Sequence, residues 1–354
     1  MLGCVGLMLG SCVACRTKEV VSLSPEEQLG KALFFDVTLS CPEGQSCATC
    51  HRPEKGFADT LARPVSEGAV KGLFSMRHAM TIGYAAFVPP LRYDESDSVW
   101  VGGLFWDGRM NTLEEQAGEP FVNPLEMAAE RAWVVSRVKK AAYFPELVDL
   151  YGKSDDVDTL YGFLTKALAA YERSAEVNPF SSKFDAFMEG HEPLTPSEQK
   201  GYELFKDKGM CAECHILEPD ARTGKILFTD HTYDNLGIPA DTSNPFYTLS
   251  ARYNPNGRDT LDLGLGGFLR DSRENGKFRV PTLRNVALTA PYGHNGYFRT
   301  LEDIVHFYNV RDVGSEYPPA EYPATVNQDE LGDLKLTPQE EADIVAFLKT
   351  LSDR

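Results

Sequence analysis

Two copies of the pattern C-x-x-C-H constrain this chain more than any other feature of its sequence. In this pattern both thiols add to the vinyl groups of a heme, and the adjacent histidine becomes an axial ligand of the iron. A zinc site would need a second ligand pair nearby, which neither copy has, and a redox dithiol would leave the two histidines unexplained. The sequence therefore predicts two covalently attached c-type hemes. The predicted attachment residues are Cys47, Cys50, His51 for heme 1 and Cys211, Cys214, His215 for heme 2.

The frame around the two motifs is duplicated. Residues 24–35 and 195–205 both begin with Ser or Thr, followed by Pro and by Glu three residues after the start. This is a capping box with proline in the first turn, so each segment predicts a helix that precedes a heme motif. The same opening recurs at Thr337, where it begins an amphipathic helix without a heme motif. That helix resembles the closing helix of a cytochrome c domain.

This arrangement predicts a mainly α-helical fold of two cytochrome c-like domains, each with one covalent heme and few strands. A further helix is predicted from about Thr159 to Arg173, whereas residues 241–267 show no periodicity and are predicted to be loop. The length of 354 residues suits two domains. We assign residues 1–21 to an export signal, 22–190 to the N-terminal heme domain and 191–354 to the C-terminal heme domain.

The first fifteen residues are apolar, lack Lys and Arg, and are too short to span a membrane. They are interpreted as an export signal whose basic start is missing, which predicts a periplasmic or cell-envelope protein. The run LGSC ending at Cys12 resembles a lipobox and would tether the chain to a membrane by a lipid. The alternative is a cleaved signal with incidental cysteines. Cys41 is then the only mature cysteine outside the heme motifs, so no disulfide framework is predicted.

The chain is acidic, with 52 Asp and Glu against 35 Lys and Arg and a formal net charge of −17. Nucleic acid is excluded as a partner, because phosphate binding needs a basic face. The acidic surface would suit a small basic electron-donor protein through electrostatic steering. It would equally serve solubility alone.

The residues available as sixth iron ligands differ between the hemes. No methionine follows Met210, so heme 2 cannot take the downstream methionine that is usual in a cytochrome c domain. Its candidate ligands are His231, His294, His306 and Tyr308. Heme 1 has only Met76, His78 and Met80 close downstream of its motif. This favours a five-coordinate heme 1, which peroxide activation needs.

Four segments resemble the signatures of the bacterial diheme cytochrome c peroxidase and MauG family. They are residues 104–109 (LFWDGR), 113–117 (LEEQA), 123–127 (NPLEM) and 280–296 (VPTLRNVALTAPYGHNG). With both heme motifs, the resemblance extends over nearly everything from Ser24 to Leu351. It implies a peroxidase that reduces hydrogen peroxide to water with electrons from a cytochrome c or cupredoxin. Homodimers occur in the family.

The resemblance also implies catalytic roles for three residues spaced ten apart. Trp106 matches the family tryptophan between the hemes, and Gln116 and Glu126 match the distal pair at heme 1. A carboxylate there can take a proton from one peroxide oxygen and return it to the other. An amide can orient peroxide, and an indole can relay electrons. From spacing alone, a core tryptophan, a surface glutamine and a helix-terminal glutamate would be equally ordinary.

Two departures from the peroxidase pattern point towards the MauG branch. Residues 65–75, where reductively activated members carry a blocking histidine, contain none. Tyr308 stands fourteen residues after His294, where peroxidases place the methionine ligand of heme 2 and MauG has tyrosine. The resemblance thus implies an open heme 1 and a His/Tyr-ligated heme 2. The alternatives for heme 2 are that Tyr308 is a packed helix residue and that His306 binds the iron or the position stays open.

A calcium ion between the hemes is also implied by the family, through an Asn side chain and backbone carbonyls. Thr289 and Pro291 align with the carbonyl donors, but Tyr84 stands at the Asn position. A neutral phenol is a poor calcium ligand, so the sequence leaves calcium in doubt.

The sequence predicts a diheme peroxidase, with two alternatives. One is a MauG-like enzyme that oxidises residues of a partner protein. The other, from a different class, is a diheme electron carrier without catalysis, in which Gln116 and Glu126 would have no purpose.

Overall fold

Helices and loops, with very little sheet, make up residues 22–59 and 63–354, the part of the chain that the computed structural model describes. The predicted export signal and Cys12 lie outside these residues. The helices are α1 (Pro25–Phe34), α2 (Cys47–Cys50), α3 (Leu113–Val122), α4 (Arg131–Val138), α5 (Phe144–Tyr151), α6 (Val157–Arg173), α7 (Lys183–Met188), α8 (Pro196–Lys206), α9 (Gly264–Leu269), α10 (Leu301–Val310) and α11 (Pro338–Lys349). No helix of this described part is long and apolar enough to cross a membrane.

The strands form two short antiparallel ladders. They pair β1 (Arg92–Asp94) with β2 (Val99–Val101), and β3 (Tyr233–Asp234) with β4 (Phe278–Arg279). The mainly α fold with few strands is therefore confirmed. One local prediction was wrong, because α9 begins within residues 241–267. Gly264, with φ of +52°, approaches the Lys277 carbonyl so closely that a Cβ would lie 2.1 Å from its oxygen.

The three predicted helix openings are confirmed as capping boxes at the starts of α1, α8 and α11. In α1 the Ser24 hydroxyl accepts the Glu27 N–H at 3.3 Å, and the Glu27 carboxylate accepts the Ser24 N–H at 2.6 Å. Thr195 and Thr337 make the same reciprocal pair at their helices. Each box satisfies two N–H groups that a helix start would otherwise leave without partners.

Each half is closed by two helices that cross at a glycine. A Cβ on Gly30 of α1 would lie 1.9 Å from the Ala167 carbonyl oxygen of α6, and a Cβ on Gly201 of α8 would lie 1.9 Å from that of Asp343 in α11. Gly30 and Gly201 occupy matching positions in the duplicated segments. The duplication in the sequence is thus a duplication of one backbone-to-backbone helix crossing.

Two large apolar clusters and a small third one, around Leu104, Leu113 and Ala169, form the core of the described chain. One draws its buried members from Leu29 to Val177 and the other from Phe184 to Leu351. Phe184 of α7 packs edge-on against Phe347 of α11, with ring centroids 5.6 Å apart. Helix α7 therefore packs with the second cluster although it precedes residue 191. The division at 190/191 stays a prediction, which this packing would move upstream.

A buried ion pair ties α7 to the predicted signature segment 280–296. Arg284 is 1% exposed. Its two terminal nitrogens donate to the two carboxylate oxygens of Asp185, both at 2.9 Å. Its Nε donates to the Ile226 carbonyl at 2.7 Å. This forked geometry satisfies a buried guanidinium on two sides.

Candidate active site

The heme 1 residues line a cavity that we call the N-terminal cavity. It contains about 1820 Å³ of empty space, part of it open to solvent. The predicted residues that line it are Cys47, Cys50, His51, Trp106, Gln116 and Glu126. Residues far apart in sequence thus meet around one space.

The heme 2 residues line a second space, the C-terminal cavity, with about 1550 Å³ of empty space including open solvent. The predicted residues that line it are Cys211, Cys214, His215, Trp106, Thr289, Pro291 and Tyr308. Trp106 borders both cavities.

Both predicted proximal histidines are oriented by a backbone carbonyl. The Nδ1 of His51 lies 3.2 Å from the Phe57 oxygen, and the Nδ1 of His215 lies 2.9 Å from the Phe228 oxygen. Burial lowers the pKa of both imidazoles, that of His215 to about 4. A neutral ring that donates from Nδ1 carries its lone pair on Nε2, which is the atom that can bind iron.

The two carbonyls that orient the histidines belong to residues with left-handed backbone, Phe57 at φ +59° and Phe228 at φ +55°. Sequence reasoning missed both. No local signal marks them, because they lie six and thirteen residues after their histidines and are not Gly or Asn, which favour this conformation.

The four motif cysteines are free thiols in the structure. Burial raises the pKa of each to about 12. A reactive redox pair needs a lowered pKa, so these thiols do not suit dithiol chemistry. In the described part of the chain no three His, Cys, Asp or Glu side chains are grouped to hold a metal ion. Two thiols beside a neutral, oriented imidazole in an apolar cavity fit a covalent heme.

Trp106 is held in place from two sides. Its indole N–H donates to the His78 carbonyl at 2.8 Å. Its own carbonyl accepts the backbone N–H of Arg279 at 2.9 Å. Its ring meets that of Phe278 edge-on at 6.5 Å. The indole is thus fixed at the boundary between the cavities.

Gln116 and Glu126 reach the N-terminal cavity from α3 and from the turn that follows it. The turn is closed by the Glu126 N–H, which donates to the Asn123 carbonyl at 3.0 Å. Burial raises the pKa of the Glu126 carboxyl to about 7, although the charge of Arg109 and a hydrogen bond with Asn123 act to lower it. A carboxyl with this pKa exchanges protons readily near neutral pH.

Residues 65–75 form a tight loop that packs on the Glu126 turn. The Ala69 N–H donates to the Glu126 carbonyl at 2.6 Å. Gly68 comes so close that a Cβ would lie 2.4 Å from the Leu125 oxygen. The loop therefore lies beside the distal residues and contributes no imidazole to the cavity.

A sequence model of the family described as di-haem cytochrome c peroxidase matches residues 24–193. The chain is 36% identical over 349 residues to the methylamine utilization protein MauG of Paracoccus denitrificans (strain Pd 1222), across 92% of this chain and 88% of that protein. It is 32% identical over 294 residues to the cytochrome c peroxidase Ccp of Escherichia coli (strain K12), across 82% of this chain and 54% of that protein. Its fold matches the crystal structure of the diheme peroxidase BthA from Burkholderia thailandensis E264 with a TM-score of 0.83 and 34% identity, across 94% and 87% of the two chains.

The chain belongs to the di-haem cytochrome c peroxidase family. The predicted family, the enzyme class and the two covalently bound c-type hemes are thereby confirmed. The MauG relatives and the peroxidase relatives both match along most of this chain.

Among the candidate heme 2 ligands of this peroxidase, Tyr308 is placed best. It lines the C-terminal cavity, and within residues 22–59 and 63–354 its hydroxyl has no hydrogen-bond partner. Burial raises its pKa. His231 and His306 do not line the cavity, and the Nδ1 of His306 lies 3.0 Å from the Glu341 carboxylate. His294 lines the cavity, but its ring stacks on Phe278 at 3.7 Å.

The predicted calcium ligands receive no support from the described side chains. The Tyr84 hydroxyl donates to the Asp353 carboxylate at 2.6 Å and accepts the Phe180 N–H at 3.1 Å. The buried His78 ring interacts with the Thr289 carbonyl. A phenol engaged elsewhere and an imidazole are both unsuited to calcium, which prefers oxygen ligands. A calcium ion between the hemes stays a prediction.

Proposed function

We propose that this enzyme reduces hydrogen peroxide to water in the N-terminal cavity, opposite His51. The observation that carries the proposal is the half-buried Glu126 carboxyl, which lines the same cavity as His51 and whose pKa desolvation raises to about 7. Reduction of one peroxide takes two electrons and two protons and yields two waters. The protons need a group that changes protonation state near neutral pH, and Glu126 is such a group.

The hemes are held by the chain's own residues. Cys47 and Cys50 would attach heme 1, and His51 would bind its iron. Cys211 and Cys214 would attach heme 2, and His215 and Tyr308 would bind its iron. When bound, the hemes supply the redox-active irons that take electrons and pass them to peroxide.

The distal residues handle the proton and the position of peroxide. The Glu126 carboxylate accepts the proton of one peroxide oxygen and returns it to the oxygen that departs as water. The Gln116 amide, which lines the same cavity, holds peroxide by hydrogen bonding. Loop 65–75 packs on the Glu126 turn beside them and contains no histidine that could block the iron.

Trp106 couples the two cavities. It borders both and is fixed by hydrogen bonds on its indole N–H and on its carbonyl. A rigid indole there shortens the path of an electron between the hemes.

A MauG-like activity is the second candidate, in which the oxidising power is spent on residues of a partner protein. Tyr308 favours it, because an anionic phenolate ligand stabilises the oxidised states of iron better than methionine does. A non-catalytic carrier is disfavoured, since Gln116 and Glu126 both face the heme 1 cavity.

The partner and the location belong to the same proposal. We place the enzyme in the periplasm or cell envelope, with a lipid at Cys12 as a tether. A small cytochrome c or cupredoxin would deliver electrons, and the net charge of −17 would attract a basic donor.

Steady-state turnover of the diheme enzyme with peroxide and reduced cytochrome c or cupredoxin tests the proposal. We expect two donor molecules oxidised per peroxide, and a resting EPR spectrum with a high-spin heme 1. Absence of turnover with every donor, while peroxide still oxidises the hemes, would support the MauG-like activity. Two low-spin hemes that do not respond to peroxide would identify a carrier.

A further inference from the structure

Arg279 carries a buried charge at the boundary between the two cavities. It belongs to β4, is 6% exposed and lines both cavities. Its guanidinium is charged at every pH that a folded protein meets. The proton transfer and electron coupling proposed above make no use of this side chain.

The partners of this guanidinium are all neutral. Its Nε donates to the Phe105 carbonyl at 3.3 Å, and one terminal nitrogen lies 3.8 Å from the Met80 sulfur, a weak acceptor. Among the described residues no Asp or Glu oxygen lies within 4.0 Å of it. Burial accordingly lowers its pKa, with only Tyr233 acting in the opposite sense.

The two other arginines of the N-terminal cavity differ from Arg279 in this respect. Arg77 binds Asp107 at 2.6 Å and Asp262 at 2.7 Å. Arg109 binds Asp107 at 2.8 Å. Lack of a carboxylate is therefore specific to the arginine that touches both cavities.

A buried charge without a counterion is costly, because burial removes water from the charge and no opposite charge replaces the lost solvation. The cost disappears if an anion binds beside the charge. Each heme brings two carboxylates, its propionates, into these cavities. Arginine matches a carboxylate with two parallel N–H donors, and most of the Arg279 donors are unused.

We propose that Arg279 binds a heme propionate at the boundary between the two cavities and thereby raises the reduction potential of that heme. The inference rests on the heme attachment proposed above and not on peroxide turnover. A cation beside the ring favours the reduced heme, because reduction lowers the positive charge of the iron. Arg279 would also link the cofactor to Trp106, whose carbonyl accepts the Arg279 backbone N–H.

The test compares the midpoint potentials of both hemes in the diheme wild type and in Arg279→Gln, Arg279→Lys and Arg273→Gln. Arg273 is the matched control, since its side chain is 84% exposed and pairs with Asp271 on the surface. For Arg279→Gln we expect the equilibrium constant for reduction of at least one heme to fall about tenfold or more. This corresponds to a midpoint potential lower by about 59 mV for one electron. Arg279→Lys keeps most of the potential, and Arg273→Gln matches the wild type.

A second measurement records the frequencies of the propionate bending bands in the resonance Raman spectrum. These bands shift in both Arg279 variants and stay fixed in the control. If Arg279→Gln yields no diheme protein, the Raman spectrum of Arg279→Lys serves as the test. Lysine offers a single ammonium group in place of the two parallel N–H donors of the guanidinium, so the propionate bands should still shift. Potentials and bands equal to those of Arg273→Gln would overturn the inference. Both readouts are taken without peroxide, so a failure of the proposed peroxidase activity would leave them interpretable.

Discussion

Replacement of Glu126 by glutamine tests the proposed proton chemistry most directly. The change keeps the size of the side chain and removes its ability to accept a proton. A positioned acid or base contributes about 10²–10⁴-fold to a rate. We therefore expect kcat/KM for peroxide to fall by about that factor, which corresponds to about 3–5 kcal/mol of transition-state stabilisation.

The pH dependence sharpens this prediction, because burial raises the Glu126 pKa to about 7. Only the carboxylate accepts a proton, so its fraction falls to about one tenth at one pH unit below the pKa. The wild-type kcat/KM should therefore fall about tenfold below its plateau by pH 6, and the Glu126→Gln profile should be flat there.

Two neighbours of Glu126 should move this profile in opposite directions. Arg109 lowers the Glu126 pKa by its charge and Glu119 raises it. Arg109→Gln should thus shift the midpoint to higher pH, and Glu119→Gln should shift it to lower pH.

The assay is stopped-flow or steady-state peroxide turnover between pH 5 and 9 on variants with matched heme absorbance. Matched absorbance separates chemistry from heme loading. The reasoning is refuted if Glu126→Gln stays within about threefold of the wild type and keeps the same pH midpoint, since a general acid–base residue is worth far more.

Three further predictions concern heme 2, the coupling residue and the fold. Tyr308→Phe should change the resting EPR signal of heme 2. The control is Tyr317→Phe, which alters a tyrosine of the same apolar cluster and should leave the signal unchanged. An unchanged signal in both variants would exclude Tyr308 as a ligand. Trp106→Phe should slow electron exchange between the hemes in flash-photolysis or stopped-flow traces. It should lower the free energy of unfolding by only about 1 kcal/mol, for the lost hydrogen bond. An unaltered rate of exchange would contradict electron transfer through Trp106. Arg284→Met should lower the free energy of unfolding by about 3–5 kcal/mol in denaturant titrations, because it leaves the buried Asp185 carboxylate without its counterion. The double variant with Asp185→Leu should recover part of this loss. A loss below about 1 kcal/mol in Arg284→Met would show that the pair is not needed for stability.

Contiguous and local features of the sequence determined much of this protein. The heme attachment residues lie within five positions of one another, so their chemistry is visible without a fold. The capping boxes at Ser24, Thr195 and Thr337 are visible for the same reason, since a helix start needs only the next three residues. The glycines at the helix crossings follow from the duplication, although their purpose, an approach of two backbones, appears only in three dimensions.

The positions of the candidate site residues follow from the sequence and the tertiary structure together. The resemblance to the family singled out Trp106, Gln116 and Glu126, and their roles stay predictions. The structure added that all three border the N-terminal cavity. Of the alternative heme 2 ligands Tyr308 and His306, only Tyr308 lines the C-terminal cavity, and its role as ligand stays a prediction.

Tertiary structure alone decided the electrostatics. The pKa of Glu126 depends on burial and on Arg109, seventeen positions away along the chain. The orienting carbonyls of Phe57 and Phe228 depend on left-handed backbone at residues that rarely adopt it. Among the described arginines of the N-terminal cavity, Arg77 and Arg109 pair with Asp107 or Asp262, whereas Arg279 pairs with no carboxylate. The two C-x-x-C-H motifs predict which residues hold the hemes. The electrostatic surroundings of each cavity come instead from desolvation and charge pairing across the fold, since both depend on distances that sequence separation does not set.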